Sequence, residues 1–522
     1  MSAKRKSDGF LSGVFILSLS AIVVKIIGLV YKIPMLRLLG SEGMGYFNSA
    51  YELYTLLCVI ATSGLPVAMA VMISGVGDGG GRRVERIFRV SLATFLTVGF
   101  LGTAILLTFA EPFADFLGSD RAVHCIRAIA PTVFFICLAS AYRGYFQGLG
   151  RMTPTALSQI IEALGKLFLG LLLAAVALHV GLPTESVAAL AVLGLTLGAA
   201  ASALCLALMK RAARSKAPSL RIEEEREAVL PTLLKTAIPV TLSSAVISLT
   251  RVIDMTMILR RLQDLDYSSE EAFAAYGNYT TLALPLFGLA PALIGSVALP
   301  LIPRLSRAVS LEDHRGQTES VTEALRLTAF VAMPASCGIT LFSEPILRLL
   351  FAGEEEAIAM AAPLLSLLGV SVTLSCLITV TNAILQAYTK AALPIVSMAV
   401  GSALKILTAY LLIGEREIAI VGAPISTFIC DLTICVLNFA FIKKRMKEMP
   451  SVTQVLLRPF TAALLSVSAA RVAYNFAVHA FGAHHLVTLG SIALAALLYL
   501  GLARAFGCLD AGRSSHKTEC QI

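Results

Sequence analysis

Residues Leu11–Leu36 read LSGVFILSLSAIVVKIIGLVYKIPML, an apolar run whose charges are Lys25 and Lys32. Crossing the ~30 Å hydrocarbon layer as a helix takes about 20 apolar residues, so the run is long enough to span. Lys4-Arg5-Lys6 precede it, as bases precede a secretory leader. The run exceeds the roughly 7–15 residues of a leader's apolar stretch, contains Lys25 and is not followed by a small-residue cleavage site. It reads as a membrane helix.

Apolar runs of this kind continue along the chain. Fourteen are expected, near 11–36, 47–76, 87–110, 122–148, 155–179, 186–209, 229–260, 275–303, 319–343, 358–388, 391–413, 418–442, 453–478 and 485–506. Hydrophobic residues make up 57% of the chain and charged ones 14%, far from the ~25% charge of soluble domains. Most of the 42 Lys and Arg collect on alternate connections: at Arg82-Arg83, from Lys210 to Lys235, after Arg304, at Lys443-Lys444-Arg445 and in the tail. The opposite connections hold few bases, among them Arg121, Arg260 and Arg416, and carry the acidic run Glu354-Glu355-Glu356. By the positive-inside rule both termini are expected in the cytoplasm. The net charge of +9 is thus topology, and nucleic acid is not an expected partner. The ten cysteines are scattered without a CxxC pair, so they read as packing residues, and no metal or cofactor is expected. With no P-loop and no nucleophile elbow, the chain is expected to be neither an ATP-driven pump nor an enzyme.

The chain also repeats itself. Gly45-Tyr46-Phe47-Asn48 returns as Ala275-Tyr276-Gly277-Asn278 at an offset of 230 residues; Gln147, Arg151, Ser158 and Lys166 return as Gln386, Lys390, Ser397 and Lys405 at an offset of 239. Two copies of one helical unit imply a secondary transporter with its site between the halves. Six spans per copy bring the chain back to the same side, so the repeats are parallel. The expected organisation is a six-helix lobe at 1–210, a cytoplasmic linker at 211–228, a second lobe at 229–442, and two further helices with a cytoplasmic tail at 443–522.

Charges within apolar segments mark the candidate site, because each costs at least ~2.5–3.5 kcal/mol to insert and so faces a cavity or a partner. Lys25 and Lys32 lie two turns apart on one helix face; Asn48 and Glu52 share a face of the second helix; Arg251 and Asp254 are within reach on the seventh. Together with Asn278 they are the expected lining of a basic central cavity. The competing reading pairs Arg251 with Asp254 and Lys25 with Glu52 as packing devices. A second tier comprises Arg143, Gln147, Glu162, Lys166, Gln386 and Lys405, with Glu162 and Lys166 spaced as a structural ion pair. Asp431 and Arg471 are further charges inside helices.

Three runs carry a family resemblance. Lys25-Ile26-Ile27-Gly28-Leu29-Val30-Tyr31-Lys32-Ile33-Pro34, then Gly64-Leu65-Pro66-Val67-Ala68, then Arg143-Gly144-Tyr145-Phe146-Gln147-Gly148 with Ser158-Gln159-Ile160-Ile161-Glu162, resemble the stage V sporulation protein B family. That family stands with the lipid II flippases and polysaccharide exporters of the multidrug and oligosaccharidyl-lipid transporter superfamily. The resemblance implies an all-α, two-lobed V-shaped bundle working by alternating access in a bacterial cytoplasmic membrane. It implies Lys25 as the basic first-helix residue, and the last two helices as the border of a lipid-tail groove. Ala70 and Val71 depart from it, standing where the family commonly has a Ser-Lys pair. The implied function is translocation of an undecaprenyl-pyrophosphate-linked saccharide, foremost lipid II, with Na+ or H+ both open as coupling ion. The alternatives are export of another lipid-linked saccharide, a multidrug or cation antiporter, and a non-transporting envelope or spore-assembly scaffold.

Overall fold

The computed structural model describes residues 2–76, 81–214, 229–388, 392–446, 452–482 and 484–508. Residues 215–228 of the expected linker, Lys390, and the tail after 508 lie outside the described residues. Among the described residues every regular element is helical and none is a strand. Twelve of the helices are long and apolar enough to cross a membrane by length and composition. The protein is an all-α polytopic membrane protein.

The first candidate span, Leu19–Ser74, is 56 residues long, about 84 Å of helix at 1.5 Å per residue. No single crossing needs that length. Helix α1 (Ser2–Thr62) is broken at Gly40, whose φ of 67° and ψ of 178° suit only a residue without Cβ. A second break at Ser63-Gly64 precedes α2 (Leu65–Ser74), which opens with Pro66 in its first turn, where a missing N–H costs no helical hydrogen bond. The first two expected spans are therefore the two limbs of this broken rod. A different fate meets the expected span 275–303. It is cut into the end of α9 (Ser269–Asn278), a π turn at Tyr279–Ala283, α10 (Leu284–Phe287) and α11 (Leu289–Ser310). Pro285 and Pro291 each fall in the first turn of a new helix, so the chain restarts where proline forbids continuation.

Contacts gather the chain into two compact units, Met1–Gly277 and Asn278–Ile522. The first also contains α3 (Gly81–Thr108), short α4 (Ala110–Leu117), α5 (Ala122–Gly148), α6 (Thr153–His179), α7 (Thr184–Arg214) and α8 (Val229–Gln263). Here α1 packs on α5, α6 and α8, while α7 packs on α5 and α6. The α6–α7 approach is set by glycine: a Cβ on Gly165 would lie 2.5 Å from the Gly198 Cα, and one on Gly194 would lie 2.3 Å from the Gly170 Cα. The helices meet backbone to backbone, which small residues allow in a membrane.

The second unit adds α12 (His314–Leu341), short α13 (Ser343–Leu350), α14 (Glu355–Ala387), α15 (Ala392–Ile413), α16 (Gly422–Lys443), α17 (Val452–Phe481) and α18 (His485–Ala505). Helix α14 is its hub, against α11, α12 and α16, while α17 and α18 pair with each other and lean on α12. Both units hide small and polar side chains such as Ser49, Ser158, Ser202, Thr328 and Asn438, and expose large apolar ones such as Phe168, Leu204 and Phe476. Lipid is the solvent for that outer surface.

Candidate functional site

The first unit encloses a cavity of about 420 Å³ between α1, α5, α6 and α7. Its charged lining is Lys25 from α1, Arg143 from α5, and Glu162 and Lys166 from α6. Helical periodicity explains the set: Glu162 and Lys166 are one turn apart and share a face, and Gln159, three residues before Glu162, lines the same wall.

Arg143 is anchored on three sides. Its Nε donates to Ser158 Oγ at 2.9 Å, and its Nη2 donates to Glu162 Oε2 at 2.7 Å and to Ser202 Oγ at 3.1 Å. The ion pair of Glu162 is therefore with Arg143, across helices, and differs from the Lys166 pairing that the i, i+4 spacing suggests. Lys166 takes another environment. Its Nζ lies 4.9 Å from the Tyr31 ring centroid, 4.7 Å from that of Tyr51 and 5.6 Å from that of Phe47, an aromatic cage within cation–π range. The cage closes because Phe47 and Tyr51 are one turn apart on α1, stacked with centroids 6.5 Å apart, while Tyr31 sits 6.1 Å from Phe47.

The other first-tier residues spread around this core. Lys32 lies in electrostatic range of both Glu52 and Lys166. Lys25 lies in electrostatic range of a further cation, Arg251 of α8. Asn48 is buried on α1, and Glu52 and Asp254 are partly buried on α1 and α8; none of the three lines the cavity. Gln147 sits partly buried in the last turn of α5. Asn278, Gln386 and Lys405 belong to the second unit. Asn278 donates to Met360 Sδ at 3.4 Å, Gln386 is exposed in the last turn of α14, and Lys405 lies in electrostatic range of Asp431, whose carboxylate accepts from Ser375 Oγ.

Sequence reasoning passed over the cage aromatics Tyr31, Phe47 and Tyr51 and the anchor Ser202. The offset of 239 was a usable signal for the anchor network: it maps Arg143 to Asn382 and Glu162 to Gly401. In the second unit Asn438 donates to Asn382 Oδ1 at 2.8 Å and to Thr381 Oγ1 at 3.0 Å, and Ser397 Oγ lies 2.6 Å from Asn438 Oδ1. The same station is built there from neutral groups.

A second opening, of about 620 Å³, lies in the first unit among Tyr46, residues 118–121 and residues 268–270. Arg121 bridges Glu270 at 2.6 Å and Glu42 at 3.3 Å, and Tyr46 donates to Glu42 at 2.8 Å. Glu270, then Tyr46 and Glu42, push the Arg121 guanidinium further above its ordinary range. Gln263 Nε2 and Ser269 Oγ donate to the Gly118 carbonyl at 3.2 and 3.0 Å, and Arg260 Nε to that of Phe116 at 2.9 Å. The α4–α5 connection is thus clasped by the end of α8 and the start of α9.

A family model described as polysaccharide biosynthesis protein matches residues 10–309, and one described as MatE matches residues 239–411. Among curated relatives, stage V sporulation protein B of Bacillus subtilis (strain 168) is 24% identical over 442 residues, 83% of this chain and 84% of that one. Lipid II flippase MurJ of the same organism is 25% identical over 464 residues, 84% of this chain and 83% of that one. Among solved structures, lipid II flippase MurJ in an inward closed conformation superposes with a TM-score of 0.72 at 15% identity, over 94% of this chain and 99% of that chain. That likeness establishes the fold.

Proposed function

The chain belongs to the polysaccharide biosynthesis protein family, and on that premise we propose that it is a flippase carrying an undecaprenyl-pyrophosphate-linked saccharide, foremost lipid II, from the cytoplasmic to the outer leaflet of a bacterial membrane. The observation that carries the proposal is the charge balance of the cavity in the first unit. Lys25, Arg143 and Lys166 stand on its wall against one carboxylate, Glu162, which Arg143 already neutralises. Arg251, outside the cavity lining, adds a further cation in electrostatic range of Lys25. A pyrophosphate leaving water needs such partners, and charge-assisted hydrogen bonds to ammonium and guanidinium groups supply them. A cationic drug would meet repulsion at the same wall, which disfavours the antiporter alternative.

In this reading residues 1–210 and 229–442 are the lobes whose motion exchanges access, and both termini are cytoplasmic. An inside-negative potential favours outward movement of negative charge by ~2.3 kcal/mol per charge per 100 mV, and Na+ or H+ is the candidate for any coupled ion. The relative named as a lipid II flippase supports the substrate class.

The test is complementation of a bacterium depleted of its lipid II flippase, with outer-leaflet lipid II quantified, for the native chain and its Lys25→Ala and Arg251→Ala forms. Restored exposure by the native chain, lost in variants that still reach the membrane, is the expected result. A native chain that reaches the membrane and exposes no lipid II overturns the lipid II assignment.

A further inference from the structure

The cavity of the first unit also carries donors that its ion pair does not account for. Tyr31 lines it and is 1% exposed, and among the described residues its hydroxyl has no hydrogen-bond partner. A buried hydroxyl left unpaired costs stability, and native folds keep one where a water or an ion completes it. Gln159 lines the same space. Its Oε1 accepts from Ser20 Oγ at 3.4 Å, which leaves the amide N–H groups as the side it offers. Lys25 and Lys166 add two ammonium groups, while the carboxylate on the wall, Glu162, is held by Arg143 at 2.7 Å. Hydroxyl, amide and ammonium groups thus line one space whose carboxylate is already spent, and an oxyanion is the occupant that completes such a set.

Size narrows the occupant. About 420 Å³ is room for roughly fourteen waters at ~30 Å³ each. A lipid-linked saccharide brings a diphosphate, sugar rings and a polyprenyl chain, more than that space takes, whereas a free phosphate ion fits whole. Charge gives the ion a task. Three cations, Lys25, Arg143 and Lys166, against one carboxylate leave a surplus of two positive charges on the wall. Once an anionic headgroup has left, the cavity must change sides with those ammonium groups cut off from bulk water, and a counter-charge relieves that desolvation cost.

We propose that the cavity is a binding site for free inorganic phosphate, held by Lys25, Lys166, the Tyr31 hydroxyl and the Gln159 amide, and that this anion is carried back on the return stroke, which makes the protein an exchanger. The binding site stands without the flippase reading; the return step rests on it. Two sources carry the chemistry the site recognises, free phosphate and the phosphate of a lipid headgroup.

The experiment titrates the full-length protein in neutral detergent calorimetrically with inorganic phosphate, with nitrate at matched ionic strength, and with undecaprenyl phosphate. Wild type is expected to bind phosphate about tenfold or more tightly than nitrate. Lys166→Met is expected to weaken phosphate about tenfold and Tyr31→Phe about threefold, while Arg315→Gln, at an exposed base of the second unit, leaves it unchanged. Proteoliposomes loaded with phosphate are expected to take up radiolabelled phosphate faster than nitrate-loaded ones. Wild-type protein that binds phosphate no better than nitrate overturns the proposal, a result that needs no variant to fold. Binding of undecaprenyl phosphate alone also overturns it and assigns the site to the lipid headgroup. Unchanged affinity in Lys166→Met or Tyr31→Phe overturns the site, and equal uptake by the two sets of liposomes overturns the return step. A chain that binds and exchanges phosphate but exposes no lipid II in the complementation supports the anion site and fails the lipid II reading, so the two failures are separable.

Discussion

Neutralising the Arg143–Glu162 pair one side at a time and then both together gives a sharp test of how the cavity wall is built. Arg143→Gln removes a guanidinium that makes hydrogen bonds at 2.9, 2.7 and 3.1 Å and leaves Glu162 charged. Stripping one partner from a fully buried pair costs ~3–5 kcal/mol. The Glu162 side chain is 32% exposed against 13% for Arg143, so water recovers part of that, and about 2–4 kcal/mol is expected. Glu162→Gln costs less, about 1–2 kcal/mol, because Arg143 keeps Ser158 and Ser202 and the new amide oxygen still accepts. The double variant is expected to be no worse than Arg143→Gln, which means a coupling of about 1–2 kcal/mol. The second unit argues for that tolerance, since Asn382 and Gly401 occupy the mapped positions in a neutral network. Unfolding by denaturing detergent in mixed micelles is readable with a thiol-reactive dye, because Cys125, Cys137, Cys376, Cys430 and Cys435 are buried and the chain has no tryptophan. Strict additivity of the two single costs in the double variant would refute the pair as an interacting unit.

Three further outcomes follow from the same geometry. Lys166→Met keeps hydrocarbon against Tyr31, Phe47 and Tyr51 while losing the cation, so stability within about 1 kcal/mol of wild type is expected together with weakened lipid II exposure; a variant that flips at the wild-type rate removes Lys166 from the anion's path. Gly198→Ala places a Cβ 2.7 Å from the Glu162 carbonyl and is expected to cost about 1–3 kcal/mol in the same detergent titration; an unchanged midpoint would show that α6 and α7 can separate freely. Arg121→Ala breaks two exposed ion pairs and is expected to leave the unfolding midpoint unchanged while speeding maleimide labelling of a cysteine introduced at Ser119, and equal labelling rates would remove the clasp.

What could be read from the chain and what could not divide along a physical line. Span number and polarity are one-dimensional properties, summed over about 20 residues, and they survive into the structure even where α1 merges two runs across Gly40. Proline made the fate of 275–303 harder to read, because Pro285 and Pro291 sit inside an apolar run that hydropathy counts as continuous. One echo was legible and passed over. Phe109-Ala110-Glu111-Pro112 opens α4, and Phe342-Ser343-Glu344-Pro345 opens α13, each phenylalanine being the N-cap of a short helix that follows a long one.

Charge pairing is the opposite case, since the partner of a buried charge is chosen in three dimensions. From spacing alone Glu162 belongs with Lys166, at i and i+4. A glutamate partly exposed on a cavity wall gains more from a guanidinium already fixed by two hydroxyls than from a flexible ammonium, because less side-chain freedom is lost per hydrogen bond. Arg143 takes it from the next helix, and Lys166 is released to the rings of α1. That exchange determines the character of the cavity. Had Glu162 neutralised Lys166, the surplus would be Lys25 and the Arg143 guanidinium; as built, the surplus is carried by the ammonium groups of Lys25 and Lys166. The Arg143 guanidinium is locked by Ser158, Ser202 and Glu162, whereas the Lys166 ammonium rests against the ring faces of Tyr31, Phe47 and Tyr51 and its charge is not spent on a carboxylate. The wall thus separates a cation neutralised within the fold, Arg143, from two that keep their charge, Lys25 and Lys166, and the proposed function rests on that surplus.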